Sequence, residues 1–257
     1  EQLMSGSNPF DVMYGTSSGA YAEVYLQARQ TYVGTSIYYE ELAGRNFIDP
    51  KNFLRGRPVV HMSAVGNAIR GDKKRLNAQR IVDSPVPIHI YATSVNDGSA
   101  YDFFPFKNSE DVYIALDATD CIPHLSGQVV DYKEGVYIDG GVSDAGRVPL
   151  QKAIDDGCTD ILVCLTEKDK PSNYPLPLIE RWIQFKMGKK YPQLAENYWN
   201  GHHTHRKTID LLKKSESGLL LIPRIEIVRV VDERLIPRSW ETRPDRLKRA
   251  ARAGYDA

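Results

Sequence analysis

A serine flanked by small residues stands near the beginning of the chain, in the segment Gly15-Thr16-Ser17-Ser18-Gly19. This segment fits the pattern G-x-S-x-G, a sharp strand-to-helix turn that holds its central serine in a strained, exposed conformation. The Ser17 hydroxyl would then lie at the N-terminus of a helix, where amides and the helix dipole favour the negative charge of acyl transfer. Glycine–serine turns are common, so the motif alone is weak evidence. A strand before it and an amphipathic helix after it strengthen the prediction of a nucleophile.

A nucleophilic serine needs a base. Asp139 is the first candidate, because it ends a strand-like segment and precedes Gly140 and Gly141. These glycines leave the carboxylate unobstructed, although an ordinary Asp-Gly-Gly turn is the alternative interpretation. The chain order serine, aspartate, histidine also permits a catalytic triad. Its histidine would be His202, His203 or His205.

These three histidines lie in a polar stretch, which favours solvated side chains on a helix surface over catalytic ones. Their pattern, H-H-x-H, contains no pair at the helical spacing i, i+4 that a zinc site on one helix face would use. We therefore favour a pair formed by Ser17 and Asp139, and we expect neither a metal ion nor a cofactor. Apolar residues near the two motifs would line the site or belong to the core. They are Met13, Tyr14, Ile122 and Leu125.

Strand-like and helical segments alternate along the first two thirds of the chain, which is typical of a layered α/β fold. We expect strands at 10–14, 86–93, 135–139 and 160–166, and helices at 21–28 and 109–118. Pro149 and Gly157 fit the first residue and the stop of one further helix. The segment 160–166 is apolar nearly throughout, which predicts a strand covered on both faces.

The character of the sequence changes after Thr166. A connector rich in Pro and Lys (167–177) precedes a polar helical stretch that carries Trp182 and Trp199. A strand-like segment at 219–231, interrupted by a proline, and a basic helix at 243–252 complete the chain. We therefore divide it into a main domain, 1–166, and a C-terminal extension, 167–257, packed against that domain.

The composition excludes several classes of protein. Lys plus Arg and Asp plus Glu both number 33, and this balance argues against binding to nucleic acid. No apolar run approaches the roughly 20 residues of a membrane span. The three cysteines include no C-x-x-C pair, so we expect buried thiols in a reducing compartment, and a cytoplasmic protein.

Several longer blocks, taken with the two motifs, resemble the patatin-like phospholipases. The blocks are 8–20, 53–60, 118–123 and 137–153, and the segment 200–210 is similar to a bacterial subgroup with an extra C-terminal region. The resemblance implies a three-layer α/β/α sandwich related to cytosolic phospholipase A2. It also implies a Ser–Asp dyad in which Ser17 is the nucleophile and Asp139 the base. The expected partner is a lipid ester or phospholipid, met through transient contact with a membrane surface.

One departure from the family concerns the oxyanion hole. The family places a G-G-G-x-R-G loop upstream of the serine motif, and this loop is not found in the sequence. Either it precedes Glu1, as the absence of an initiator Met favours, or those amide donors are lacking. The turn itself would still provide the backbone amide of Ser18 or Gly19 as a donor to the oxyanion. Two alternatives to lipid hydrolysis stay open: acyl transfer to another acceptor, and a non-catalytic lipid-binding or regulatory role.

Overall fold

A mixed five-stranded sheet carries the segments that precede Ser17 and Asp139. In a computed structural model of the chain, its strands are β1 (Met13–Gly15), β2 (Ile88–Ser94), β3 (Ala100–Asp102), β4 (Val130–Tyr132) and β5 (Gly135–Ile138). The order is β1-β2-β5-β4, and β3 also pairs with β2. β1 is parallel to β2, with Gly15 opposite Ile90, and β5 is antiparallel to β2, with Ile138 opposite Thr93. The turns that follow β1 and β5 are therefore both held against β2.

The structure describes residues 8–45, 47–49, 51–122, 125–126, 128–165, 191–230, 232–237 and 241–256, with positions 181, 185 and 189. The side chains at 53, 54, 193, 199, 200 and 202 are outside this description. The predicted connector at 167–177 and the side chains of Trp182 and Trp199 therefore lie outside the described residues, as does the boundary drawn at 166.

A second, two-stranded sheet joins the predicted main domain to the C-terminal part of the chain. β6 (Asp160–Leu165) is parallel to β7 (Arg224–Arg229), and all six residues of each strand are in register. The expectation that β6 is covered on both faces is wrong for the described structure. Val163 is buried, whereas Leu162 is 45% exposed, because β6 has one described strand partner and lies outside the larger sheet.

Nine α-helices surround these sheets in the part of the chain that is described. They are α1 (Ser18–Gln27), α2 (Thr31–Glu40), α3 (Lys51–Leu54), α4 (Met62–Arg70), α5 (Gln79–Val82), α6 (Ser109–Thr119), α7 (Leu150–Asp155), α8 (Pro192–Glu216) and α9 (Pro244–Tyr255). Asn108 caps α6 by accepting hydrogen bonds from the amides of Glu110 and Asp111. Pro149 is the N-cap of α7 rather than its first helical residue. None of the described helices is both long and apolar enough to cross a membrane.

Hydrophobic packing links the C-terminal helices to the sheet. In α1, the predicted apolar face is buried in the main core, where Leu194 of α8 also packs. A smaller core joins Leu150 and Val163 to Leu212 and Ile225. Both cores therefore contain residues from the two sides of position 166. The mixed α/β architecture that the sequence predicts is confirmed.

Candidate active site

Ser17 occupies a strained turn between β1 and α1. Its backbone has φ 49° and ψ −132°, a conformation that an L-residue adopts only when its surroundings impose it. Gly15 is required on the strand side, because a Cβ there would lie 2.7 Å from the Cα of Ala20. The predicted sharp strand-to-helix turn therefore exists, and it presents the Ser17 hydroxyl at the N-terminus of α1.

Hydrogen bonds from neighbouring elements hold this turn in place. The Ser17 amide donates to Oγ1 of Thr119, at the end of α6, over 2.8 Å, and that hydroxyl donates to the carbonyl of Tyr91 on β2 over 2.5 Å. The Thr16 hydroxyl donates to the carbonyl of Arg147 over 2.9 Å. These bonds connect the turn to α6, β2 and the loop before α7, and together they stabilise the strained backbone at Ser17.

Asp139 lies beside Ser17 and is fixed through its backbone. Its amide donates to the carbonyl of Cys121 over 2.9 Å, and its carbonyl accepts from the Thr93 hydroxyl over 2.6 Å. The carboxylate accepts from the amide of Gly141 over 2.8 Å, and its interaction with the Ser17 hydroxyl favours the ionised form. The structure therefore brings the two residues of the predicted pair together.

Burial raises the pKa of Asp139 above its usual value. Three influences oppose this effect: the hydrogen bonds from Gly141 and Ser17, and the positive charge of Arg147. A raised pKa makes a carboxylate a stronger base than a solvated aspartate. The environment of Asp139 therefore gives its carboxylate a higher basicity than a solvated aspartate has.

The two glycines after Asp139 meet different constraints. A Cβ on Gly140 would lie 2.1 Å from the carbonyl oxygen of Tyr91, so the turn passes β2 too closely for any side chain. A Cβ on Gly141 would lie 3.0 Å from Oδ1 of Asp139. Gly140 therefore permits the close approach of the turn to β2, and Gly141 leaves the space beside the Asp139 carboxylate open.

A second carboxyl group, Asp120, also contacts Ser17, and the sequence analysis missed it. The Ser17 hydroxyl donates to Oδ1 of Asp120 over 3.1 Å. Burial and the nearby charge of Asp139 raise the pKa of Asp120 to about 8. The segment 118–123 is one of the blocks that resemble the patatin-like phospholipases. Nothing in its sequence, however, indicates that the end of α6 lies against the Ser17 turn.

The two predicted oxyanion donors differ in the structure. The Gly19 amide donates to the carbonyl of Thr16 over 2.9 Å. That bond makes the Gly19 amide the poorer of the two candidate donors. Among the described hydrogen bonds none involves the Ser18 amide. Ser18 is therefore the amide of this turn that can bind a developing oxyanion.

The histidines of the alternative triad lie on α8. His203 is exposed, and the side chain of His202 lies outside the described residues. His205 lines a cavity of about 3230 Å³, which Ser17 and Asp139 also line. The described hydrogen-bond partner of the Ser17 hydroxyl is the carboxyl group of Asp120. Within the described residues, no group of three or more His, Cys, Asp or Glu is arranged to hold a metal ion.

Apolar residues near Ser17 divide between the cavity wall and the core. Met13, Tyr14 and Ile122 are among the residues that line the cavity, and Met13 is also buried in the main core. Leu125 is buried in the main core and is not among the lining residues. The cavity exceeds the roughly 300–1,000 Å³ of most small-molecule sites.

Glu23 of α1 is a buried acid behind the Ser17 turn. Its Oε2 has no hydrogen-bond partner among the described residues, and burial raises the pKa of its carboxyl well above the usual value. The amide of Tyr14 opposes this shift by hydrogen bonding to the carboxylate. The folded protein therefore retains a proton on Glu23 at pH values where the unfolded chain has released it.

We expect Glu23→Gln to make the protein more stable than the wild type at pH 8. A raised folded-state pKa means that wild-type stability falls as the pH rises above the ordinary pKa of glutamate, and glutamine removes that fall. Thermal melts at pH 4.5 and 8 measure this effect, at about 2–4 °C for each kcal/mol. The exposed Glu134→Gln is the control. An advantage of Glu23→Gln that does not grow with pH would contradict the explanation.

Comparison with known proteins identifies one relative. No family model matches the chain. The chain is similar to the uncharacterized protein YjjU of Escherichia coli (strain K12), with 27% identity over 227 residues. The similarity covers 86% of this chain and 61% of YjjU, so the chain spans about three-fifths of its relative's length. The relative carries no described activity, and the chemistry must be argued from the site itself.

Proposed function

We propose that the protein is a lipid acyl hydrolase of the patatin-like type, with Ser17 as nucleophile and Asp139 as general base. The observation that carries this proposal is the strained backbone of Ser17, whose hydroxyl hydrogen-bonds to Asp120 and interacts with Asp139. Strain at a serine in such a turn is expected where the chain must present a nucleophile. The mixed α/β fold is compatible with the three-layer sandwich of that family.

The reaction begins when Ser17 attacks the carbonyl carbon of a lipid ester. Asp139 accepts the hydroxyl proton as the bond from Oγ to the carbonyl carbon forms, and the Ser18 amide binds the oxyanion. Asp139 then gives its proton to the departing alcohol, and an acyl-enzyme results. Water attacks this ester while Asp139 accepts its proton, and release of the fatty acid returns the proton to Ser17.

The catalytic contribution of this pair depends on its position. Held against β2, the hydroxyl and the carboxylate avoid the entropic cost of meeting, and a positioned base typically contributes about 10²–10⁴-fold to the rate. The loss of the Asp139 negative charge at low pH would remove the base. We therefore place the acidic limb of the activity profile above the usual pKa of aspartate, in the direction that burial moves Asp139.

A panel of esters and acceptors tests this function. The wild type should release p-nitrophenol from acyl esters of several chain lengths, and fatty acid from phospholipid vesicles. Supplying a primary alcohol in the same assay distinguishes hydrolysis from acyl transfer, because a transferase would form the new ester in preference to the free acid. Specific vesicle binding without turnover of any ester would instead favour the non-catalytic lipid-binding role.

The basic helix α9 is our candidate for contact with a membrane surface, as a cytoplasmic enzyme acting on phospholipid would need. None of its residues is buried, and it packs along α2. Part of its positive charge is already paired: Arg246 lies 3.1 Å from Glu241, and Arg249 lies 3.3 Å from Asp245. Surface pairs of this kind are weak, so the helix can still be attracted to anionic lipid.

We expect truncation after Thr242 to weaken sedimentation with anionic vesicles at low salt, while sparing hydrolysis of a soluble ester. Each Lys or Arg close to an anionic surface contributes about 1 kcal/mol, so the loss of Lys248 and Arg252 alone should weaken binding by at least about tenfold. The double substitution Lys248→Glu and Arg252→Glu keeps the helix and should reproduce the effect. Equal sedimentation of the truncated and complete proteins would show that α9 makes no membrane contact.

A further inference from the structure

Two carboxyl groups compete for one hydroxyl proton at Ser17. Oδ1 of Asp120 lies 3.1 Å from the Ser17 hydroxyl oxygen, and the Asp139 carboxyl group interacts with the same hydroxyl. A hydroxyl donates one hydrogen bond at a time, so the second carboxyl group contacts the oxygen itself. That second contact is favourable only when the carboxyl group is protonated and donates to the oxygen.

The surroundings of the two groups decide where the shared proton resides. Asp139 accepts a hydrogen bond from the Gly141 amide and lies near the positive charge of Arg147, and both favour its ionised form. Asp120 faces the negative charges of Asp139 and Asp117. Two neighbouring carboxylates in a buried site do not both ionise readily, and the one without stabilising partners keeps the proton.

We propose that Asp120 is a second catalytic carboxyl group, which carries the proton shared with Asp139 and donates a hydrogen bond to Oγ of Ser17. This inference rests on the proposed function. The hydrogen bond strengthens when Oγ gains negative charge as it leaves the acyl group during deacylation. Neutral Asp120 also keeps a second negative charge away from the forming oxyanion. Asp139 remains the base, and no covalent step changes.

Three further titratable groups face Asp120, and they stay uncharged across the relevant range. Burial raises the pKa values of the Tyr21 and Tyr38 phenols and of the Cys121 thiol, so all three remain protonated at neutral pH. Asp117 is ion-paired with Arg70 over 2.6 Å. A loss of activity near pH 8 is therefore assigned to Asp120, whose pKa is raised to about that value.

The test is the pH dependence of soluble-ester hydrolysis. Wild-type activity should fall about tenfold from its maximum by pH 9, because roughly nine tenths of Asp120 is then ionised. Asp120→Asn should lose this alkaline fall, with rates at pH 7.5 and 9 within about twofold, because the amide does not ionise. Asp117→Asn, the matched control, should keep the fall. An Asp120→Asn profile with the wild-type alkaline fall would overturn the proposal.

Wild-type protein alone provides a second measurement. Fluorophosphonate labelling also builds negative charge on an oxygen beside Ser17, so ionised Asp120 should slow it about tenfold between its maximum and pH 9. A constant labelling rate to pH 9.5 would overturn the role of Asp120 even if Asp120→Asn does not fold. A third result also overturns it: if Asp120→Asn is inactive at every pH while Asp139→Asn is active, Asp120 is the base. If instead Ser17 is not the nucleophile, labelling would persist in Ser17→Ala, and this result distinguishes failure of the proposed function from failure of the Asp120 role.

Discussion

Replacing Ser17 with Ala is expected to lower ester hydrolysis by on the order of 10⁴–10⁶-fold, because the substitution removes the attacking oxygen. Alanine meets the same backbone strain at φ 49° as serine does, so the fold should not change. Steady-state hydrolysis of a p-nitrophenyl ester measures the loss, and a thermal melt checks the fold.

The neighbouring Ser18→Ala is the matched control for this substitution. It removes a hydroxyl from the same turn but leaves the Ser18 amide, which is the group we assign to the oxyanion. Its activity should stay within about tenfold of the wild type. If Ser17→Ala retained activity comparable to that of Ser18→Ala, the nucleophile would have to be another residue.

Asp139→Asn is expected to lower hydrolysis by about 10²–10⁴-fold, because the amide does not accept the serine proton. Asparagine keeps an oxygen that can accept the hydrogen bond from Gly141, so the turn should survive. The measurement is again the rate on a soluble ester, at a pH between the two limbs. The predicted loss separates the role of Asp139 as a base from a purely structural Asp-Gly-Gly turn.

The histidine triad provides the contrast to this prediction. Changing His202, His203 and His205 together to Ala should leave most of the activity, and EDTA should leave the rate unchanged if no metal takes part. If the triple variant were inactive and Asp139→Asn active, a histidine would be the base, and the Ser17–Asp139 dyad would be wrong.

Local signals in the sequence predicted the elements around the site. The strand β2, the helices α1 and α6 and the ends of β5 and β6 lie within a few residues of their expected positions. Apolar spacing and glycine turns act over a few residues, and a single sequence records them directly. The strained Ser17 belongs to this class, because its motif encodes the turn.

Contacts between distant segments were not predictable from one sequence. Asp120 is 103 residues from Ser17, and the docking of α6 against the turn brings their side chains together. The need for Gly140 arises in the same way, from the close approach of Tyr91 on another strand. The exposure of β6 is a further example, because an apolar strand pattern does not record which neighbours cover it.

Mass spectrometry after treatment with a fluorophosphonate probe tests directly whether Ser17 is the nucleophile. We expect one adduct per chain, on the hydroxyl of Ser17, formed by the wild type and lost in Ser17→Ala. Slower labelling of Asp139→Asn would indicate that the Asp139 carboxylate assists the reaction as its base. An adduct on any other residue, or a folded wild-type protein that turns over esters yet is never labelled at Ser17, would contradict the assignment of Ser17 as the nucleophile.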